Sequence, residues 1–131
     1  MECGNCGTRT VVFSVPDADE AFVPGGASAV GLCPHCLALQ PADASAVPDE
    51  PDFARVSDAF PTEPDAAVPM ALLVGLLDSL ALYRSEISTL LARVERAGVD
   101  PLLVLDRLAA DESIETDLDI AGRRRQLEQL L

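Results

Sequence analysis

Four cysteines in two matching pairs constrain this 131-residue chain more than any other feature. Two residues separate Cys3 from Cys6, two separate Cys33 from Cys36, and 26 residues lie between the pairs. Two intervening residues let both sulfurs of a tight turn face one point, and two such turns offer four sulfurs to one tetrahedral ion. The spacing therefore predicts one metal centre per chain with these four cysteines as ligands and Zn²⁺ as the metal.

The segment between the two pairs predicts a small antiparallel sheet. Apolar and polar residues alternate over 8–15, which is typical of a strand, and 27–32 predicts a second strand that leads into the second pair. Residues 1–42 therefore resemble a zinc ribbon, and their long central loop leaves room for an extra hairpin. The resemblance implies that the same four cysteines bind the metal. The whole chain also resembles small uncharacterised ribbon-bearing proteins of halophilic archaea, which implies no activity.

Other uses of the cysteines fit the spacing less well. Disulfides suit an oxidising compartment, and a redox CxxC motif needs one pair rather than two. A rubredoxin-like iron electron carrier stays open, because Cys33-Pro-His-Cys36 matches its second motif, although Phe13 and Phe22 are the only aromatic residues nearby. Four thiolates close the coordination shell of zinc, so we expect no enzymatic activity. His35, the only histidine, is expected at the surface and not as a fifth ligand.

Acidic residues outnumber basic ones by 22 to 9, which gives a net charge of −13, and every basic residue is arginine. This composition resembles that of cytosolic proteins from extreme halophiles, and it disfavours direct binding of nucleic acids. Residues 43–65 hold seven acids, one base and four prolines, and they are predicted to form an acidic, proline-rich linker. A short helix over 52–60 would place Phe53, Val56 and Phe60 on one face.

Residues 66–131 are predicted to form an α-helical hairpin or bundle, so the chain as a whole is assigned to the α+β class. Apolar residues spaced alternately by three and four predict a long helix over about 67–97 that ends at Gly98. We call these positions the heptad seam, and they are Leu73, Leu76, Leu80, Tyr83, Ile87, Leu90 and Val94. Pro101 starts a helix over 101–110, and Thr116 is expected to cap a last helix over 117–131. The apolar positions of that last helix are Leu127, Leu130 and Leu131.

The heptad seam has two interpretations, packing within a monomeric bundle or association with a protein partner or a second copy of the chain. The cluster Arg123-Arg124-Arg125 is predicted to be an exposed helix face that pairs with Glu128 or with the linker acids. Its alternative role is to hold a phosphate or an acidic partner. The apolar run 66–77 carries no charge, but its 12 residues are fewer than the roughly 20 residues of a membrane span. With no signal peptide visible, we expect a cytoplasmic protein without a membrane span.

These features favour a zinc-binding, non-enzymatic interaction or adaptor protein with a ribbon at its start and a helical packing or oligomerisation tail. A second hypothesis is a transcription- or translation-associated ribbon factor that docks on a larger nucleoprotein machine. The rubredoxin-like iron carrier is the third. The residue pattern by itself names no partner and no physiological role.

Overall fold

The computed structural model describes residues 1–23 and 25–129, and within them a three-stranded antiparallel sheet precedes four α-helices. The α+β class is therefore confirmed. The strands are β1 (Val11–Ser14), β2 (Ala29–Leu32) and β3 (Leu39–Pro41). The helices are α1 (Pro64–Leu76), α2 (Arg84–Arg96), α3 (Pro101–Ala110) and α4 (Ile120–Glu128).

Strand β2 lies in the middle of the sheet and pairs antiparallel with β1 and with β3. Leu32 is opposite Val11 on one side and Leu39 on the other. The strand predicted over 8–15 is shorter at its start, because Thr10 donates its backbone N–H to Met1 instead of extending the ladder with β2. Strand β3 was not predicted; it follows the second cysteine pair, and the long loop between the pairs holds a 3₁₀ turn at Asp17–Phe22 where an extra hairpin was allowed.

Segment 43–65 was predicted to be a semi-rigid linker, but it packs into the hydrophobic core, which corrects the prediction. Phe53, Val56 and Phe60 are all at most 3% exposed and belong to the hydrophobic core shared by the sheet and the helices. The Phe53 ring centroid lies 5.3 Å from that of Phe13 in β1 and 6.3 Å from that of Phe60. Of the helix predicted over 52–60, only a 3₁₀ turn at Phe53–Arg55 forms. Burial of three apolar side chains outweighs the acidic, proline-rich composition of the segment.

The single helix predicted over 67–97 is wrong, because two helices, α1 and α2, occupy this stretch. The chain leaves α1 after Leu76 through a 3₁₀ turn at Leu77–Ser79, and α2 then packs against α1. Nine of the thirteen residues of α1 are buried, so this helix needs cover on several sides. Folding α2 back onto it supplies that cover, which one continuous helix could not do.

Six of the seven heptad-seam residues lie inside the protein, and the seventh, Tyr83, is half-buried. Leu73, Leu76, Ile87, Leu90 and Val94 are each at most 1% exposed and belong to the same core. Within this chain the seam therefore packs α1 against α2. Association of two copies through these residues would require the core to open.

Helix α3 has the predicted bounds, and the Asp100 carboxylate caps it by accepting hydrogen bonds from the N–H groups of Leu102 and Leu103. Helix α4 starts at Ile120, later than predicted, because Asp119 caps it through the N–H of Gly122. Thr116 instead accepts a hydrogen bond from the N–H of Leu118 in the preceding turn. The predicted apolar positions Leu130 and Leu131 lie outside the described residues.

Across the residues that the structure describes, no helix combines the length and the apolar character needed to cross a membrane.

Candidate metal centre

The two cysteine pairs, 33 residues apart at their outer members, come together in one cluster. All four Sγ atoms lie within 4.8 Å of one another, and the Cys3–Cys36 and Cys6–Cys33 sulfurs are 3.6 Å and 3.4 Å apart. None of the four cysteines is in a disulfide. Four sulfurs bound to one ion at about 2.3 Å would lie about 3.8 Å from each other. The cluster could therefore hold a metal ion.

Both pairs adopt the same backbone turn. The carbonyl of Cys3 accepts a hydrogen bond from Gly7 N–H, and the carbonyl of Cys33 accepts one from Leu37 N–H, each at 2.9 Å. The N–H of the first cysteine in each turn donates in return, Cys3 to the Thr8 carbonyl at 2.7 Å and Cys33 to the Ala38 carbonyl at 2.9 Å. The repeated geometry aims the two sulfurs of each pair at one region of space.

Backbone N–H groups in these turns also point at the sulfurs. Asn5 N lies 3.3 Å from Cys3 Sγ, and the N atoms of His35 and Cys36 lie 3.4 Å from Cys33 Sγ. Such hydrogen bonds spread the negative charge of a thiolate and tune a metal bound to it. The arrangement is therefore compatible with four ionised cysteines around a cation.

The sulfurs differ in their access to solvent and in their acidity. Cys3 and Cys33 are buried, Cys36 is half-buried and Cys6 is exposed. Hydrogen bonding to Thr8, whose hydroxyl oxygen is 3.3 Å from the sulfur, lowers the pKa of Cys6 to about 6. Burial raises the pKa of Cys33 and raises that of Cys36 to about 12. A bound divalent cation would favour the thiolate form even of these buried groups.

The second cysteine turn is anchored to the helical part of the chain. Glu115, in the loop between α3 and α4, donates its N–H to the His35 carbonyl at 2.8 Å, and its carboxylate lies 3.3 Å from His35 Nε2. Gly75 of α1 leaves room for Leu39, since a Cβ at residue 75 would come within 2.5 Å of a Leu39 methyl group. The helices thus fix where the second turn lies.

His35 is half-exposed and is not one of the clustered residues. The sequence prediction missed Glu115, and it missed Gln40, whose side-chain oxygen accepts a hydrogen bond from Gly4 N–H at 3.0 Å. Glu115 is one of 22 acids, so no pattern marked it. Both contacts join segments that are distant in the chain, and residue spacing carries no signal for such contacts.

The arginine cluster in α4 divides into separate roles. Arg124 pairs with Glu128, as predicted, and with Asp106 of α3 at 2.8 Å. Arg123 donates to the Asp78 carbonyl at 3.0 Å, and Arg125 is exposed. In the described part of the chain, the acids of segment 43–65 form no ion pair with any of the three.

The fold and the cluster together define an α+β protein with a four-cysteine centre able to hold a metal ion. A family model described as "Family of unknown function (DUF6276)" matches residues 2–131, so the chain belongs to this family. No curated protein and no solved structure matches the chain. The family match covers sheet, segment 43–65 and helices alike, and it names no metal. The likeness to zinc ribbons therefore depends on the cysteine spacing and geometry.

Proposed function

We propose that this protein is a non-enzymatic interaction protein whose structure is stabilised by one zinc ion bound to Cys3, Cys6, Cys33 and Cys36. The observation that carries the proposal is the convergence of all four sulfurs within 4.8 Å. Four thiolates in a compact, tetrahedral set are a preferred environment of structural zinc. Iron accepts the same ligands, so the identity of the metal is a matter for experiment.

A structural role is supported by the ligand set itself. Catalytic zinc keeps one position open for water, whereas four cysteines fill all four positions. The free thiols also favour a reducing compartment, and we place the protein in the cytoplasm. An ion held in this way would act by fixing the shape of residues 1–42, and the chain would act through the surfaces that this shape presents to a partner.

The zinc ion would stabilise more than the ribbon. Residues 1–42 are too few to form a sufficient core alone, and zinc binding supplies on the order of 10 kcal/mol to such small units. Phe13 of β1 nevertheless packs on Phe53 in the core shared with the helices. Loss of the ion would therefore loosen the sheet and, through that contact, the helical part of the chain.

Elemental analysis of protein purified without added metal tests the proposal. We expect about one zinc per chain in a colourless protein, and much less zinc in Cys6→Ser and Cys33→Ser variants. Asn5→Ala is the matched control, because Asn5 lies in the first turn and contributes only its backbone N–H to a sulfur. A red protein with one iron per chain would instead support an electron carrier. Metal-free protein with unchanged structure would contradict both.

The adaptor role needs a separate test, since metal content does not report on partners. Because the heptad seam is internal, we expect the zinc-loaded protein to be monomeric by light scattering and to engage its partner through other surfaces. Cross-linking in cell extract, followed by mass spectrometry, should recover a reproducible protein partner whose cross-links are lost in the Cys33→Ser variant. Cross-links that persist unchanged in that variant would contradict a role for the metal-stabilised shape.

A further inference from the structure

A cleft lies between α4 and the turn that joins α1 to α2. Its volume is about 400 Å³, and its lining consists of Leu80, Ala81, Arg84, Arg123, Gln126 and Gln129. A second hollow of about 540 Å³ shares Arg123, Gln126 and Gln129 with it and adds Arg125. We call the two hollows together the arginine cleft. Neither belongs to the cysteine cluster.

The arginine cleft is basic, whereas the protein as a whole is acidic. Acids make up 22 of the 131 residues and bases only 9, so a surface hollow is expected to be acidic. The first hollow is nevertheless lined by two arginines and no acid. In the second, Asp119 is the acidic lining residue, and its carboxylate already accepts the N–H of Gly122 at the start of α4. Composition alone therefore does not account for the cleft.

Two of the three arginines of the cleft, Arg84 and Arg125, differ from Arg124, which pairs with two carboxylates. Arg123 is held in place by hydrogen bonds to the Asp78 carbonyl at 3.0 Å and to Gln126 Oε1 at 3.1 Å, while the Asp78 carboxylate is 3.8 Å away. Arg84 and Arg125 are exposed and pair with no carboxylate within residues 1–23 and 25–129. The positive charges of arginines in one cleft repel each other, and a bound anion would offset this repulsion.

We propose that the arginine cleft binds a phosphate group. Guanidinium groups present several N–H donors in a fixed fork that matches the oxygens of phosphate, and the amides of Gln126 and Gln129 add further donors. Arg84 and Arg123 approach from different helices, which suits a tetrahedral group with oxygens on several sides better than a planar carboxylate. The phosphate can be a free anion or an ester on a larger molecule, since both offer the same oxygens. This site is independent of the proposed zinc site.

Calorimetric titration of the full, zinc-loaded protein at fixed ionic strength tests the proposal, with inorganic phosphate, pyrophosphate and succinate as probes. We expect saturable one-to-one binding of inorganic phosphate and pyrophosphate, weakened about tenfold in Arg84→Gln and in Arg125→Gln. The matched control is Arg107→Gln, because Arg107 is an exposed arginine on α3 that lines a different, acid-rimmed hollow. Its affinity should equal that of the unmodified chain.

Three results would overturn the phosphate site. They are the absence of saturable binding, an equal loss of affinity in Arg107→Gln, and succinate binding as tight as that of pyrophosphate. Because Arg84 and Arg125 are exposed, both variants should keep the melting temperature of the unmodified chain. The side-chain amide signals of Gln126 and Gln129 in NMR spectra should move on titration, and movement confined to other residues would also overturn the location. Glycerol phosphate binding as tightly as inorganic phosphate would indicate an ester as the ligand, and weaker binding would indicate the free anion.

Discussion

Gly7 and Leu37 occupy equivalent positions in the two cysteine turns, and both have a left-handed backbone, with φ of 76° and 63°. Each follows the second cysteine of its pair and donates its N–H to the carbonyl of the first. This conformation costs a residue with a Cβ about 1–2 kcal/mol, and glycine avoids the cost. Leu37 is 4% exposed and lies in the hydrophobic core, so burial of its side chain offsets the backbone strain.

We therefore expect the Leu37→Gly variant to be more stable than the Leu37→Ala variant. This reverses the usual order, in which glycine destabilises a protein more than alanine does. Leu37→Ala should lose about 2–4 kcal/mol through the cavity that it leaves. Leu37→Gly leaves a similar cavity but recovers about 1 kcal/mol of backbone strain. Denaturant unfolding of the zinc-loaded variants measures the difference. Gly7→Ala serves as the companion, because a Cβ there meets nothing within 4 Å and its cost of about 1 kcal/mol would be strain alone. A more stable Leu37→Ala variant would contradict the account.

Phe53 tests whether segment 43–65 belongs to the core. Its ring is 2% exposed and lies between the rings of Phe13 and Phe60, so Phe53→Ala should destabilise the protein by about 3–5 kcal/mol. The control Leu82→Ala removes a side chain that is 80% exposed and should change stability by less than about 0.5 kcal/mol. Equal effects in chemical unfolding of the two variants would mean that the segment is a linker after all.

The ion pair between Arg93 of α2 and Asp19 ties the loop after β1 to the helices, and its two partners should not be equally important. Asp19 is 5% exposed, whereas the Arg93 side chain is 32% exposed and stacks over the Phe22 ring at 5.1 Å. Arg93→Ala leaves a buried carboxylate unpaired and should cost about 2 kcal/mol or more. Asp19→Ala leaves an arginine that still reaches water and the ring, and should cost about 1 kcal/mol.

The double variant separates pairing from packing. If the unpaired Asp19 carboxylate causes most of the damage, Arg93→Ala with Asp19→Ala should be more stable than Arg93→Ala alone in a thermal or denaturant melt. A double variant less stable than either single variant would instead assign the effect to the packing of Arg93 on Phe22.

Metal removal should unfold the chain as one unit. The contact between Phe13 and Phe53 joins the sheet to the core of the helices. Chelation is therefore expected to lower the melting temperature of the whole protein. The helical circular dichroism signal and the environment of Phe13 should change in one transition. NMR signals of β1 and α2 followed during chelation check this. Loss of the β1 signals while those of α2 persist at the same temperature would show that the sheet and the helices unfold separately.

The sequence predicted correctly the turns and helix ends that depend on residues close together in the chain. The two cysteine turns follow from two-residue spacing, the start of α3 follows from Asp100 and Pro101, and the end of α2 follows from Gly98, whose φ is 89°. In each case the residues that determine the structure are neighbours in the chain. Short-range hydrogen bonds and backbone preferences suffice there, and both can be inferred from residue types.

The errors concern contacts between distant segments. The heptad seam fits one long helix and two helices folded onto each other equally well, because both bury the same positions. The acidic composition of 43–65 predicted a linker, but Phe53 in this segment is buried because it packs on Phe13, which is distant in the chain. Beside the cysteine cluster, Glu115 contacts His35 across 80 positions of the chain, and a single acid in so acidic a sequence carries no signal.

X-ray absorption at the zinc edge, on protein purified without added metal, tests the central claim most directly. The account predicts a single shell of four sulfur ligands at about 2.3 Å, lost when Cys33 is replaced by serine. A shell containing nitrogen or oxygen ligands in place of sulfur, or protein that folds with no bound metal, would contradict it.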